Sequence, residues 1–250
     1  MTALALVAAA ALAVVHLGVA RLRFLRRDPA RWSSLAGGIG ISYVFMVLLP
    51  KLASAQDTLA EVAGGPLVAF LAHHSYLVAL LGLCVYHGLD AAIEHAAGRV
   101  RDARGGLVVR LIVQLHAGGL AVYHFLVGYL LVEGARAPGG TATGTVLFAL
   151  AMAAHFVGLD HELRHRYPRL YDRRLRWAFA AASLGGAVTG AITLISPAAL
   201  ALLNALFAGG LIVLTLKDKV PGRGSVRFGT FFAGVVVYSS LVLVVEAYGG

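Results

Sequence analysis

Apolar residues in this chain run on continuously for about 20 positions at a time, with short basic stretches between the runs. That is neither the alternation of a strand nor the narrow stripe of a surface helix. Eight such runs lie at roughly 3–20, 34–55, 67–95, 107–132, 143–163, 177–196, 198–216 and 228–248, each long enough to cross a hydrocarbon core as a helix. Continuous runs of this length are the helical solution to burying a backbone in lipid, and a barrel would show alternation instead. The pattern predicts an all-α membrane protein of eight transmembrane helices in one domain, 1–250. The first run has no basic region before it, and Arg21, Arg23, Arg26, Arg27 and Arg31 follow it, so it reads as a retained first helix.

Composition agrees: 59% of residues are hydrophobic, 13% are charged, and the mean hydropathy is +0.81. A formal charge of +9 would suggest nucleic acid in a soluble protein. Here 19 of the 21 Lys and Arg fall in alternate loops, before the second, fourth, sixth and eighth runs. Only Lys51 and Arg136 fall on the other side. By the positive-inside rule those loops face the cytoplasm, both termini are extracytoplasmic, and the protein belongs to the cell membrane with no nucleic-acid partner. Cys84, the single cysteine, excludes an intrachain disulfide.

Ionisable side chains inside apolar runs cost about 2.5–3.5 kcal/mol at mid-membrane and so call for a reason. The fourth run carries Tyr123-His124-Phe125-Leu126-Val127-Gly128, with Gln114 and His116 nearer its start. The fifth carries His155-Phe156-Val157-Gly158-Leu159-Asp160, then His161, Glu162 and His165. On a regular helix Asp160 sits roughly 140° from His155, so one metal can take both only if the helix is distorted between them, which Gly158 would permit. Should Asp160 pair instead with Arg164, four residues on, its role would be structural.

Further along the fifth run, His161-Glu162-Leu163-Arg164-His165 spells H-E-x-x-H, which on a helix places two imidazoles one turn apart around a Glu, as in zinc proteases. No third acidic ligand follows, and the motif ends where the membrane does; a charged helix edge is the reading preferred, and no enzyme activity is expected. His161, Glu162 and His165 remain a second-choice metal set. In the third run His87, Asp90 and Glu94 recur at helical spacing, a strip that could line a cation pathway along with His116. His73 and His74 lie about four turns from His87, a separation suited to stacked haems, but no second run repeats it and no haem is expected.

Ala36-Gly37-Gly38 is followed by an apolar run and Pro50, and Ala208-Gly209-Gly210 by an apolar run and Pro221. The two copies would cross in opposite senses, as in transporters built from inverted repeats. With the eight-run plan, these elements and the central His-Phe pairs, the chain resembles the ZIP (Zrt/Irt-like) divalent metal transporters. In that family the fourth helix carries His-Asn-Phe-x-(Asp/Glu)-Gly, matched here by Tyr123 to Gly128, and the fifth carries His-Glu-x-Pro-His-Glu, matched by His155 to Asp160. The resemblance implies a 3+2+3 inverted-repeat bundle that moves a divalent cation by alternating access. Tyr123, Val127, Phe156 and Leu159 stand where the family has polar ligands, which leaves His124, His155 and Asp160. Two imidazoles and one carboxylate suit a single zinc-type ion. The expected partners are that ion, the bilayer and, as an open option, a second copy of the chain. Alternatives are a ZIP-like scaffold without transport and a membrane metalloenzyme using H-E-x-x-H.

Overall fold

The computed structural model describes residues 1–21, 28–54, 66, 70, 74–101, 107–137, 139–216 and 227–248. Among them the chain forms eight long helices and no strand: α1 Thr2–Gly18, α2 Pro29–Ser54, α3 Ser75–Arg101, α4 Leu107–Arg136, α5 Ala142–Arg166, α6 Pro168–Ile192, α7 Pro197–Leu216 and α8 Phe228–Tyr248. Seven are long and apolar enough to cross a membrane, and α1, with 17 residues, is the shorter eighth. At 1.5 Å per residue α1 spans about 25 Å, a little under the hydrocarbon thickness.

Local chemistry sets the helix ends. Asp28 caps α2, its Oδ1 accepting from the Arg31 amide at 3.2 Å with Pro29 at the first helical position. Thr141 caps α5 in the same way through the Gly144 amide at 3.0 Å. The break between α5 and α6 falls at Tyr167, which leaves the helical region (φ −135°, ψ 62°) ahead of Pro168. Here the structure departs from the sequence reading: the arginine-rich stretch expected to be a loop up to 176 is the first turns of α6. Arginine is a good helix former, and Pro168 at N1 starts the helix early. One π-type turn interrupts α2 at Val44–Leu48 and another α6 at Tyr171–Leu175.

Three helix pairs pack at backbone distance, each notched by glycine from both sides. A Cβ on Gly128 of α4 would overlap the Ser183 carbonyl of α6, and one on Gly186 would overlap the Phe125 carbonyl of α4. Gly82 of α3 and Gly209 of α7 stand in the same relation to the Leu206 and Ala79 carbonyls; Gly38 of α2 and Gly234 of α8 do so to those of Phe231 and Leu35. Inside a bilayer, where lipid is as apolar as leucine, close approach through small residues holds helices together. Arg136, at the end of α4, adds a polar clasp by donating to the carbonyls of Gly190 (2.5 Å) and Thr193 (3.2 Å) at the end of α6.

Two clusters of buried side chains result. The larger joins Tyr43 of α2, Tyr123 and Val127 of α4, Phe148 and Met152 of α5 and Phe207 of α7. A smaller one, with Leu120, Leu163, Tyr171 and Phe179, lies towards the arginine-rich end between α4, α5 and α6. α1 turns Ala5, Ala9, Leu12, Ala13 and His16 inward along one stripe, and packs on α4, α5 and α6. That packing carries the last residue of the stripe into the smaller cluster.

Candidate metal centre

His16, His124 and Asp160 meet where α1, α4 and α5 converge, and none of the three is exposed. His16 Nδ1 stands 2.6 Å from Asp160 Oδ2. With Asp160 as a carboxylate, which can only accept, Nδ1 is the donor of this contact and Nε2 points away from it. That Nε2 faces Ser183 Oγ of α6 at 3.5 Å, the outer limit of a hydrogen bond. His124 Nδ1 lies 2.6 Å from the Leu120 carbonyl one turn back on α4. Since a carbonyl also only accepts, His124 is held as the tautomer whose Nε2 has a free lone pair. Tyr171 completes the frame, its hydroxyl donating to the His16 carbonyl at 3.1 Å and anchoring the end of α1.

Two polar atoms at this centre, His124 Nε2 and Asp160 Oδ1, are buried without a hydrogen-bond partner. Each such atom costs about 1–3 kcal/mol. Around them the walls are aromatic: the His124 ring stacks on Phe179 at 4.3 Å and 3°, and Phe156 lies 4.5 Å from His124 and 4.7 Å from His16. Two imidazoles and a carboxyl are thus gathered among phenyl rings, with the Tyr171 hydroxyl beside Asp160, in a site closed to water where a bound cation would meet several lone pairs at once.

One ligand atom from each of His16, His124 and Asp160 lies within 4.8 Å of the others, and among the described residues this is the group of histidine, cysteine and acidic side chains so gathered. Ligands on a tetrahedral ion at 2.0–2.1 Å stand about 3.3 Å apart, so the group would close by at most about 1.5 Å around it.

The remaining candidates lie elsewhere. His155, expected as a ligand, is buried but outside this group; its ring sits 5.8 Å from that of Tyr123. α5 runs unbroken from Ala142 to Arg166, so the distortion needed to aim both His155 and Asp160 at one point is missing. Arg164 does not take Asp160; it binds both oxygens of Asp172, at 2.8 and 3.2 Å. Neither His161, Glu162 nor His165 joins the group. They sit at the arginine-rich end of α5, where Glu162 faces Arg166 at 3.7 Å. On α3 His87 is exposed whereas Asp90 is buried, so the two do not share one environment; the side chain of Glu94 lies outside the described residues, as does His73. His116 of α4 is buried, and His74 is exposed beside Phe70.

Sequence reading missed His16. Its signal is the one used for His124, an imidazole in an apolar run, here the first run, 3–20.

On the opposite side of α4 and α5, near the turn that joins them, lies a cavity of about 660 Å³. Lys51, Thr141, Thr145, Asn204 and Glu246 give it polar walls, and Tyr43 and Phe148, members of the larger aromatic cluster, line it as well. No family model matches the chain, nor does any curated protein or solved structure.

Proposed function

We propose that the protein is a membrane carrier for one divalent cation of zinc type, built on a ZIP-like plan, with His16, His124 and Asp160 as its ligands. The observation that carries this reading is the pair of unmet lone pairs, His124 Nε2 and Asp160 Oδ1, at a fully buried centre holding a second imidazole. Two nitrogens and one carboxylate oxygen are the donor set of a borderline cation, with water or Ser183 completing four. Relative to the ligands drawn from the sequence, His16 takes the place of His155.

The pairing of helices supports the inverted-repeat plan. Exchanging α1, α2 and α3 for α6, α7 and α8 turns the α2–α8 pair into the α7–α3 pair, and both are glycine-notched. The same exchange, with α4 swapped for α5, turns the α4–α6 contact into the α5–α1 contact that holds the centre. In this reading the arginine-rich ends face the cytoplasm and both termini lie outside. Reporter tags at residues 1 and 250 test that directly: opposite sides would end the eight-span plan.

A second reading, a ZIP-like scaffold that binds metal without moving it, is favoured by one feature. Tyr123, Phe148 and Phe207 fill the space between α4, α5 and α7, with ring centroids 5.5 Å (Tyr123–Phe207) and 6.1 Å (Phe148–Phe207) apart. Metal content of the purified protein and zinc uptake into proteoliposomes separate the readings. A carrier binds about one zinc per chain and loses both binding and uptake in His16→Ala and His124→Ala. Binding without uptake selects the scaffold. A wild-type protein that holds no metal sinks both, and leaves His16–Asp160 as a buried pair locking α1 to α5.

A further inference from the structure

At the arginine-rich end α2 and α8 begin side by side, and an open cavity of about 550 Å³ lies between their first turns. It is lined by Asp28, Arg31, Trp32 and Leu35 from α2 and by Gly229, Thr230 and Ala233 from α8. Asp28 is engaged: one oxygen caps α2 and the other pairs with Arg227 at 2.9 Å. With that carboxylate matched by Arg227, the guanidinium of Arg31 leaves the mouth of the cavity positive. Deeper in, Leu35 and Ala233 make the wall apolar, and on the outside of α8 the exposed rings of Phe228 and Phe232 stack at 6.1 Å.

We propose that this cavity binds the headgroup of an anionic phospholipid from the leaflet at the arginine-rich side. Three observations favour a lipid over a soluble anion. The positive mouth continues into an apolar cleft between two membrane helices, which suits a phosphate attached to acyl chains. Trp32 and the Phe228–Phe232 pair place amphipathic and aromatic rings at the same level, as at a membrane interface. In sequence, the segments leading into the two helices carry Arg21, Arg23, Arg26 and Arg27 before α2, and Lys217, Lys219 and Arg223 before α8. Basic clusters of that kind beside a spanning helix attract anionic lipid at about 1 kcal/mol per charge. The hydroxyl of Thr230 supplies a neutral donor to the phosphate.

The full chain, purified into nanodiscs of equal phosphatidylglycerol and phosphatidylcholine and then into detergent, is assayed by native mass spectrometry for retained lipid. The expected result is one phosphatidylglycerol per chain, enriched over phosphatidylcholine. Arg31→Glu lowers that retention at least about fivefold, from the loss of one favourable charge and the gain of an unfavourable one. Arg31→Gln lowers it less and serves should the Glu variant not fold. Arg174→Glu, an exposed arginine on α6 away from the cavity, leaves it unchanged. Equal losses from Arg31→Glu and Arg174→Glu would show diffuse charge attraction and overturn the site. Retention unaffected by either Arg31 variant would overturn it too, and displacement by excess inorganic phosphate would assign the cavity to a soluble anion instead.

Discussion

The two faces of the α4–α5 pair have opposite characters, although adjacent residues build them. Tyr123 turns towards α3 and α7, its ring 5.6 Å from Tyr86 and 5.5 Å from Phe207, whereas His124, the next residue, turns to α1 and α6 and meets His16 at 4.7 Å. On α5 the order is reversed: His155 accompanies Tyr123, and Phe156 and Asp160 accompany His124. One face is an aromatic core closed by ring packing, in which the buried Tyr123 hydroxyl has no hydrogen-bond partner. The other gathers two imidazoles and a carboxyl at one point. The face that carries Tyr123, Val127 and His155 is therefore mainly aromatic and aliphatic, while the two imidazoles and the carboxyl gather where α1 and α6 pack. A motif aligned residue by residue gives no account of which neighbour each residue faces.

The largest expected effect separates the faces by metal. His16→Ala and His124→Ala each remove a proposed ligand, and zinc affinity should fall by more than the roughly 10–100-fold that loss of a mere supporting group costs. His155→Ala should leave metal content unchanged, as measured by elemental analysis of purified protein. If His155→Ala strips the metal and His16→Ala does not, the assignment of faces is reversed. Next comes the aromatic face itself: Phe207→Ala empties a site that is 1% exposed and should lower stability by about 3–5 kcal/mol in a denaturation series, with metal content intact. A metal loss there would mean that the two faces are coupled.

Gly128→Ala should act across the boundary. Its Cβ would meet the Ser183 carbonyl, so α4 and α6 must part, at about 1–3 kcal/mol. Because Ser183 faces His16, the same change should weaken metal binding as well, which a titration would show as a raised Kd. Smallest of all is Glu162→Gln. It disturbs a half-exposed pair with Arg166 that is worth at most about 1 kcal/mol, and it should leave metal content and stability as they are. Loss of zinc from that variant would revive the His161-Glu162-His165 set.

Much of this protein is decided by local pattern and is legible in the chain alone. Run length and composition determine the eight helices. Asp28 with Pro29, Thr141, and Pro168 set where three of them start, and run length alone places the first and last of these starts too late, at 34 and 177, because it overlooks caps and the helix propensity of arginine. The period of 3.6 residues already says that His155 and Asp160 diverge, because a regular helix cannot aim both at one ion. What the chain does not carry is the rotation of each helix about its own axis. In a soluble bundle the polar stripe marks the outward face, but in a bilayer the outside is as apolar as the core; an imidazole in α1 is expected to face inward, yet the pattern of α1 does not say which neighbouring helices His16 meets there. Tertiary packing settles it: glycine notches draw α4 onto α6, and α1 lies across them. Only then do three side chains from residues 16, 124 and 160 share one centre.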